Sequence, residues 1–188
     1  MLDIGANVGH CTLKLSELVG PAGRVIAFEP VPATFEVLTA NSHLSPCANI
    51  TLINAALADR SGIRRIAVPD WPNGIPNYYR ASLKDGDDLC RVLCLAVDDL
   101  GLRHPIALIK IDVEGAAAAV VAGAMRLIAR DRPILIVEGE AAELLPLLES
   151  VGYEAWRCPG SPNVILSAGW TGGPGGLRHA GQPSRQLA

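Results

Sequence analysis

The chain has 188 residues, of which 49% are apolar and only 19% charged, and its mean hydropathy is +0.28. That is one domain's worth of sequence with material for one sizeable core, and it excludes an intrinsically disordered chain, which combines low hydropathy with high net charge. A balance of 16 Lys+Arg against 19 Asp+Glu, with aromatic residues at 4%, fits neither a nucleic-acid wrapper or base-stacking platform nor a polybasic membrane binder.

The predicted elements start with a strand over Met1–Ile4, a glycine-punctuated turn and a helix from about His10 to Leu18, closed by Gly20-Pro21. A second strand, Arg24–Glu29, leads through Pro30 and Pro32 into a helix ending near His43. Ile50–Asn54 is the third strand. Ala56–Asp59 and Ile63–Val68 flank a Ser61-Gly62 turn and predict a small hairpin. From Pro69 to Asp88 the composition turns to Pro, Gly, Asn, Asp and Tyr, which predicts a long exposed loop; Trp71, Tyr78 and Tyr79 in it either cover a bound ligand or are incidental aromatics of a mobile loop. Strands over Val92–Val97 and Ile106–Ile111 follow, then a helix from Gly115 to Ala129 with few polar residues, a strand over Ile134–Glu138 and a helix over Ala141–Val151. Tyr153–Cys158 and Asn163–Ser167, joined by Pro159-Gly160-Ser161-Pro162, predict an antiparallel hairpin. Strand-length runs alternating with helix-period segments are the pattern of a parallel α/β sheet with crossover helices. Gly169–Ala188 reads as a disordered tail, which leaves residues 1–168 as the domain.

Five cysteines at 11, 47, 90, 94 and 158 are odd in number and lack paired CxxC spacing, so free thiols in a reducing compartment are expected rather than a disulfide framework or a metal site. No apolar run approaches the ~20 residues of a membrane helix, and no signal-peptide pattern opens the chain. These features predict a cytoplasmic domain without membrane contact.

The strongest local signal is Asp3-Ile4-Gly5-Ala6-Asn7-Val8-Gly9, where a strand ends in a glycine turn that opens a helix. Glycine lets backbone approach a ligand closely, and the helix start offers unpaired amides. Glu29, about twenty residues further on, ends the second strand, the position from which a carboxylate accepts the hydroxyls of an adenosine ribose. A dinucleotide fingerprint wants G-x-G-x-x-G, whereas this chain has Asp3-x-Gly5-x-x-x-Gly9. An acidic residue on the first strand repels a diphosphate but suits the ammonium of a methionine moiety. S-adenosylmethionine carries that ammonium, has no phosphate and keeps the ribose diol for Glu29. No G-x-x-x-x-G-K-[ST] is present, which excludes an ATP-binding P-loop.

Lys110, Asp112 and Glu114 alternate along an extended segment, which directs all three the same way off an otherwise apolar strand. Burying such charges costs several kcal/mol unless they pair or line a wet cleft. Asp112 or Glu114 is a candidate general base for an acceptor proton, with Lys110 holding the carboxylate charged or steering the acceptor; the alternative is a structural Lys-Asp pair capping the next helix. His10, directly after the glycine turn, is a further candidate base because the helix dipole favours its neutral form; a plain packing role is its alternative.

Four blocks together, Asp3-Ile-Gly-Ala-Asn-Val-Gly9, Phe28-Glu29-Pro30, Lys110-Ile-Asp-Val-Glu-Gly115 followed by Gly123-Ala124, and Pro133-Ile-Leu-Ile-Val-Glu138, resemble the FkbM-type S-adenosylmethionine-dependent methyltransferases in order and spacing. The resemblance runs from Met1 to about Ser167. It implies a class I methyltransferase fold, a Rossmann-like and mostly parallel seven-strand sheet with an antiparallel last strand and helices on both faces. It also implies methyl transfer, usually to an oxygen of a sugar, polyketide or other small acceptor. Carried over by position, Asp3, Gly5, Asn7, Gly9 and Glu29 line the cofactor site, Asn54 and Ala55 lie near the adenine, and Lys110, Asp112 and Glu114 face the methyl group and acceptor. A small-molecule or glycan acceptor is expected, with no nucleic-acid or membrane partner, and no residue is assigned as a metal ligand.

Two departures stand out. The family places a second glutamate two residues after the glycine of Asp-Val-Glu-Gly, where this chain has Ala117, and relatives carry a further segment before the glycine turn, where this chain begins two residues ahead of Asp3. A shortened central first strand predicts a marginally stable domain with an open cofactor cleft. Two other functions compete with an active methyltransferase: a catalytically silent remnant of that fold, and a nicotinamide-dependent dehydrogenase.

Overall fold

The computed structural model describes the chain except residues 47, 71, 75, 84–89, 158, 170–177 and 180–188, and gives only the backbone of residues 79, 178 and 179. In chain order the elements are β1 (Leu2–Ile4), α1 (His10–Val19), β2 (Val25–Phe28), α2 (Pro32–Ser42), β3 (Ile50–Ile53), β4 (Ala56–Leu57), β5 (Gly62–Ala67), β6 (Ser82–Leu83), β7 (Cys90–Leu95) and β8 (Leu108–Ile111). They continue with α3 (Ala117–Ala122), α4 (Met125–Asp131), β9 (Ile134–Glu138), α5 (Ala141–Leu148), β10 (Tyr153–Arg157), β11 (Asn163–Ala168) and β12 (Arg178–His179).

The main sheet has the order β3-β2-β1-β8-β9-β11-β10, with the two-residue β12 beyond β10. Strands β3, β2, β1, β8 and β9 pair in parallel, and β11 runs antiparallel to both neighbours. This is the expected class I methyltransferase sheet. Its strands read as near-continuous apolar runs because both faces are covered, which is why Leu2, Ile4, Val25, Ile109, Ile111, Leu135 and Val137 are all buried. On one face all of these except Val25 pack with Val120, Val121, Leu127, Ile128 and Leu144 from α3, α4 and α5. Elsewhere Ala27 and Leu38 form a separate cluster with Phe35 and Leu52. Pro32 starts α2 in the first turn, where its missing N–H is not needed.

Strand β1 is central and pairs over three residues with β2 on one side and β8 on the other. Chain order reverses at this point, since β2 leads one way and β8 the other. Such a switch point leaves a crevice outside the carboxyl ends of the strands, the usual ligand site of an open α/β sheet.

Several expectations change. The hairpin over 56–68 does not form, because β7 lies between its two arms, parallel to β4 and antiparallel to β5. The Ser61 hydroxyl accepts the Ala96 N–H at 3.0 Å and donates to Asp99 Oδ2 at 2.7 Å, so the link goes around the end of β7. With β6 added to β5, this makes a second, four-stranded sheet that sequence patterning did not announce. The loop over 69–88 is therefore partly structured, containing an Asp70–Pro76 bridge, a 3₁₀ turn at Tyr78–Arg80 and β6.

The single helix over 115–129 is two helices. A Cβ on Gly123 would sit 2.0 Å from the Ala58 carbonyl oxygen, so only glycine permits this approach of α3 to the strand-end segment. The chain restarts at once, because the Asp98 carboxylate accepts the N–H groups of Arg126 at 2.8 Å and Leu127 at 2.9 Å at the start of α4.

Of the segment expected to be a disordered tail, 170–177 and 180–188 lie outside the described residues, while Arg178–His179 pair with Trp156 and Arg157 of β10. Cys11, Cys90 and Cys94 are free thiols; Cys47 and Cys158 lie outside the described residues. Among the described residues no helix is long and apolar enough to cross a membrane.

Candidate active site

The glycine turn begins where β1 stops. Gly5 and Ala6 N–H groups both donate to the Phe28 carbonyl, at 3.0 and 2.9 Å, which bends the chain off the sheet. Gly5 has φ +75°, and its Cα lies so close to the Asp112 carbonyl that an added Cβ would be 1.9 Å from that oxygen. Asn7 is left-handed too, at φ 50°, a conformation Asn tolerates when its side chain bonds locally. Here its Oδ1 accepts the Val8 N–H at 2.7 Å.

Glu29 follows β2 and ties the turn down. Its Oε2 accepts the Asn7 N–H at 2.9 Å and its Oε1 accepts the Val31 N–H at 3.0 Å. Each carboxylate oxygen has a second lone pair, so both can accept one further hydrogen bond. Burial pushes the Glu29 carboxyl pKa up, outweighing the two backbone N–H bonds and the Lys110 charge. The loop behind it is fastened by Asn54, whose Nδ2 donates to the carbonyls of Glu29 at 2.7 Å and Pro30 at 3.2 Å.

Lys110 joins the turn to the next strand. Its Nζ donates to the Gly5 carbonyl at 2.9 Å and lies 3.3 Å from Asp3 Oδ1 and 3.1 Å from Asp112 Oδ2. Asp3 Oδ2 in turn accepts the Thr12 hydroxyl at 2.6 Å. Burial acts to lower the Lys110 pKa, but Asp3 and Asp112 outweigh it and hold the ammonium above its ordinary value. Asp3 is 0% exposed, so it contacts Lys110 and Thr12 and does not present its carboxylate to the cleft.

The extended alternation expected over 110–114 stops early, since β8 ends at Ile111 and Glu114 stands on the following turn. Beside it, the parallel register of Ile111 with Val137 brings Asp112 and Glu138 together at the ends of β8 and β9. Hydrogen bonding to the neighbouring Asp112 carboxylate, then its charge and some burial, push the Glu138 carboxyl pKa up. Sequence reasoning quoted Glu138 only as part of a motif. Its signal was there to read, because Glu29, Asp112 and Glu138 each end or immediately follow a parallel strand.

A cleft of about 310 Å³ opens at this edge of the sheet. Gly5, Asn7 and Glu29 form one wall, Ala55, Leu57, Ile66 and Leu83 an apolar one, and Asp112, Glu114 and Glu138 an acidic one. Tyr78 and Arg80 of the 3₁₀ turn also line it; Trp71 and the side chain of Tyr79 lie outside the described residues. An adjoining hollow of about 290 Å³ shares the three acidic residues and adds Glu140 and Glu143. Six sequence-predicted residues therefore meet at the cleft: Gly5, Asn7, Glu29, Ala55, Asp112 and Glu114. Asp3, Gly9, Asn54, Lys110 and His10 are not among the residues that line it; Asp3 and Gly9 are buried, Lys110 is half-buried, and Asn54 and His10 are exposed.

Residues 3–155 match the family model described as the methyltransferase FkbM domain. A methyltransferase FkbM structure from Methylobacillus flagellatus KT superposes with a TM-score of 0.61 at 18% identity, covering 89% of this chain and 42% of that one. The chain thus spans less than half the length of that protein. A probable cobalt-precorrin-6B C(15)-methyltransferase (decarboxylating) from Thermoplasma volcanium is 28% identical over 152 residues, 74% of this chain and 75% of that one. A putative methyltransferase from Streptococcus mutans, solved in complex with SAH, has a TM-score of 0.50 at 11% identity, covering 88% of this chain and 86% of that one. Because the matched span holds the glycine turn, Glu29, the Lys110–Glu114 run and Glu138 on the sheet order found here, the chain belongs to the FkbM family of S-adenosylmethionine-dependent methyltransferases.

Proposed function

We propose that the cleft binds S-adenosylmethionine and that the chain transfers the methyl group to a hydroxyl oxygen of a small molecule or glycan. Glu29 carries this reading. Its carboxylate stands beside the switch point, held by two backbone N–H groups with one lone pair left on each oxygen, and a ribose diol supplies two matching donors. The apolar wall of Ala55, Leu57, Ile66 and Leu83 gives a purine a surface to lie on. The residues present therefore fit the cofactor. Bound there, it supplies a methyl group on a sulfonium, which needs an in-line nucleophile and little else.

The remaining work falls to this chain's own side chains. Lys110 holds the Gly5 carbonyl and Asp112 at a fixed separation. Asp112 and Glu114 line the same cleft as Glu29 and serve as acceptors for the hydroxyl proton. An acidic wall of this kind repels a phosphodiester backbone, which supports a sugar or other small acceptor over a nucleic acid. His10 has no part in this reading.

Calorimetric titration with S-adenosylhomocysteine tests it. Glu29→Gln keeps the shape but sets an NH₂ against one of the two backbone N–H groups, and is expected to weaken binding by about 30–100-fold, roughly 2–3 kcal/mol. Asp112→Ala should bind nearly as well as the unmutated chain while losing transfer of labelled methyl groups to a metabolite extract of the source cells. Failure of the unmutated chain to bind would overturn the proposal; binding without any transfer would mark a fold that kept its cofactor and lost its reaction.

A further inference from the structure

We infer that Glu138, paired with Asp112 across the ends of β8 and β9, is a catalytic residue of the methyl transfer, the two carboxylates together taking and keeping the proton that the acceptor hydroxyl gives up. The inference rests on the methyltransferase reading above and adds Glu138 as the partner with which Asp112 takes the proton.

The geometry comes from the sheet. Ile111 and Val137 are register partners, so the next residues on the two strands emerge side by side, and both line the cleft as well as the adjoining hollow. Two carboxylates set side by side disfavour each other's ionisation, so the first proton is held more firmly than a lone carboxylate would hold it. The groups around them decide where that proton rests. Lys110 Nζ lies 3.1 Å from Asp112 Oδ2, placing the compensating charge on the Asp112 side. Glu114 on the turn after β8 and Glu143 on α5 add negative charge, Glu140 is engaged by Arg157, and Asn163 opposite Glu138 on β11 is uncharged. The proton accordingly settles on Glu138, in line with its raised pKa, whose first cause is the Asp112 hydrogen bond.

In the transfer step the acceptor oxygen bonds to the methyl carbon as the carbon–sulfur bond breaks with its electron pair going to sulfur. The hydroxyl proton passes to the doubly ionised pair, which is left with one proton shared between Asp112 and Glu138. That proton then leaves to water through the hollow. Only the doubly ionised pair can accept, so the rate rises with pH through the raised Glu138 titration. The acid limb of the profile lies above that of a lone glutamate.

Two measurements on the full chain decide this. In ¹³C-carboxyl NMR, Glu138 should titrate above the ordinary value of about 4.3, and Asp112→Asn should bring it back down; titration at the ordinary value in the unmutated chain would overturn the pair. Glu138→Gln should bind S-adenosylhomocysteine within about two-fold of the unmutated chain, slow labelled-methyl transfer to the metabolite extract by about 100-fold and abolish the shifted acid limb. Transfer at the unmutated rate with the limb in place would sink the role of Glu138 alone. An unmutated chain that binds no S-adenosylhomocysteine would instead bring down the methyltransferase reading, and this role with it.

Discussion

Asp3→Ala is expected to cost about 3 kcal/mol of folding stability, read as a lower urea midpoint at unchanged slope. Asp3 is wholly buried beneath the glycine turn and faces the Lys110 ammonium at 3.3 Å. Removing one partner of a buried ion pair leaves the other charge without compensation, which is what makes such single changes expensive. Lys110 keeps Asp112 and the Gly5 carbonyl, and this puts the loss at the low end of the range for buried pairs. The double change Asp3→Ala with Lys110→Met should recover part of it, since the stranded charge is then gone. A loss under about 1 kcal/mol would mean that Asp112 and Gly5 suffice to hold Lys110. The sign of the pH dependence follows from the raised Lys110 pKa. The pair's contribution is complete below the ordinary lysine value of 10.5 and disappears as pH rises through the higher folded value. The deficit of Asp3→Ala is therefore constant across neutral pH and shrinks in strong alkali.

Gly5→Ala is expected to be worse, at about 4 kcal/mol or more, with cofactor binding lost at the same time. A left-handed backbone at φ +75° already disfavours any side chain, but the larger effect is contact. The new methyl would lie 1.9 Å from the Asp112 carbonyl oxygen, and backbone cannot swing away as a flexible side chain can. Relief requires the turn after β1 and the end of β8 to separate, which pulls Lys110 off the Gly5 carbonyl and moves Asp112 within the cleft wall. Thermal unfolding followed by circular dichroism, together with S-adenosylhomocysteine titration, checks both halves. A variant melting within a few degrees of the unmutated chain would show that the turn is softer than its packing indicates.

Much of the main sheet is legible because its signals are local. The strand over 134–138 and the helix start at His10 coincide with the structure residue for residue, since an apolar run between polar flanks and a glycine turn before a helix each need only their own neighbours. The misreadings come from contacts distant in sequence. Nothing in the alanine- and valine-rich run over 116–122 says that Gly123 will meet the Ala58 carbonyl, and without that contact the run reads as one helix. Likewise, Ala56–Asp59 and Ile63–Val68 look like hairpin arms until β7 comes between them. The site divides in the same way. Glu29 and Asp112 stand out as carboxylates at strand ends, whereas the burial of Asp3 and the meeting of Asp112 with Glu138 depend on which strands are neighbours. Alternation could not reveal that Glu114 sits beyond the end of β8.

The second sheet has a consequence for how this enzyme can change over time. Ile66, Val92 and Cys94 pack with Val31, Ala56 and Ala58 in a cluster of their own, apart from the one that holds β1, β8 and β9 together. Yet β5 and β6 supply Ile66, Ser82 and Leu83 to the cleft. Changes at Ile66, Val92 and Cys94 therefore bear on the cleft wall more than on the strands that carry Glu29 and Asp112, whereas Leu57 and Leu95 of the same sheet pack into the main core. Ile66 and Leu83 belong to the apolar wall proposed to receive the purine, so drift in this small sheet would tune how tightly the cofactor is held while Glu29 and Asp112 keep their places.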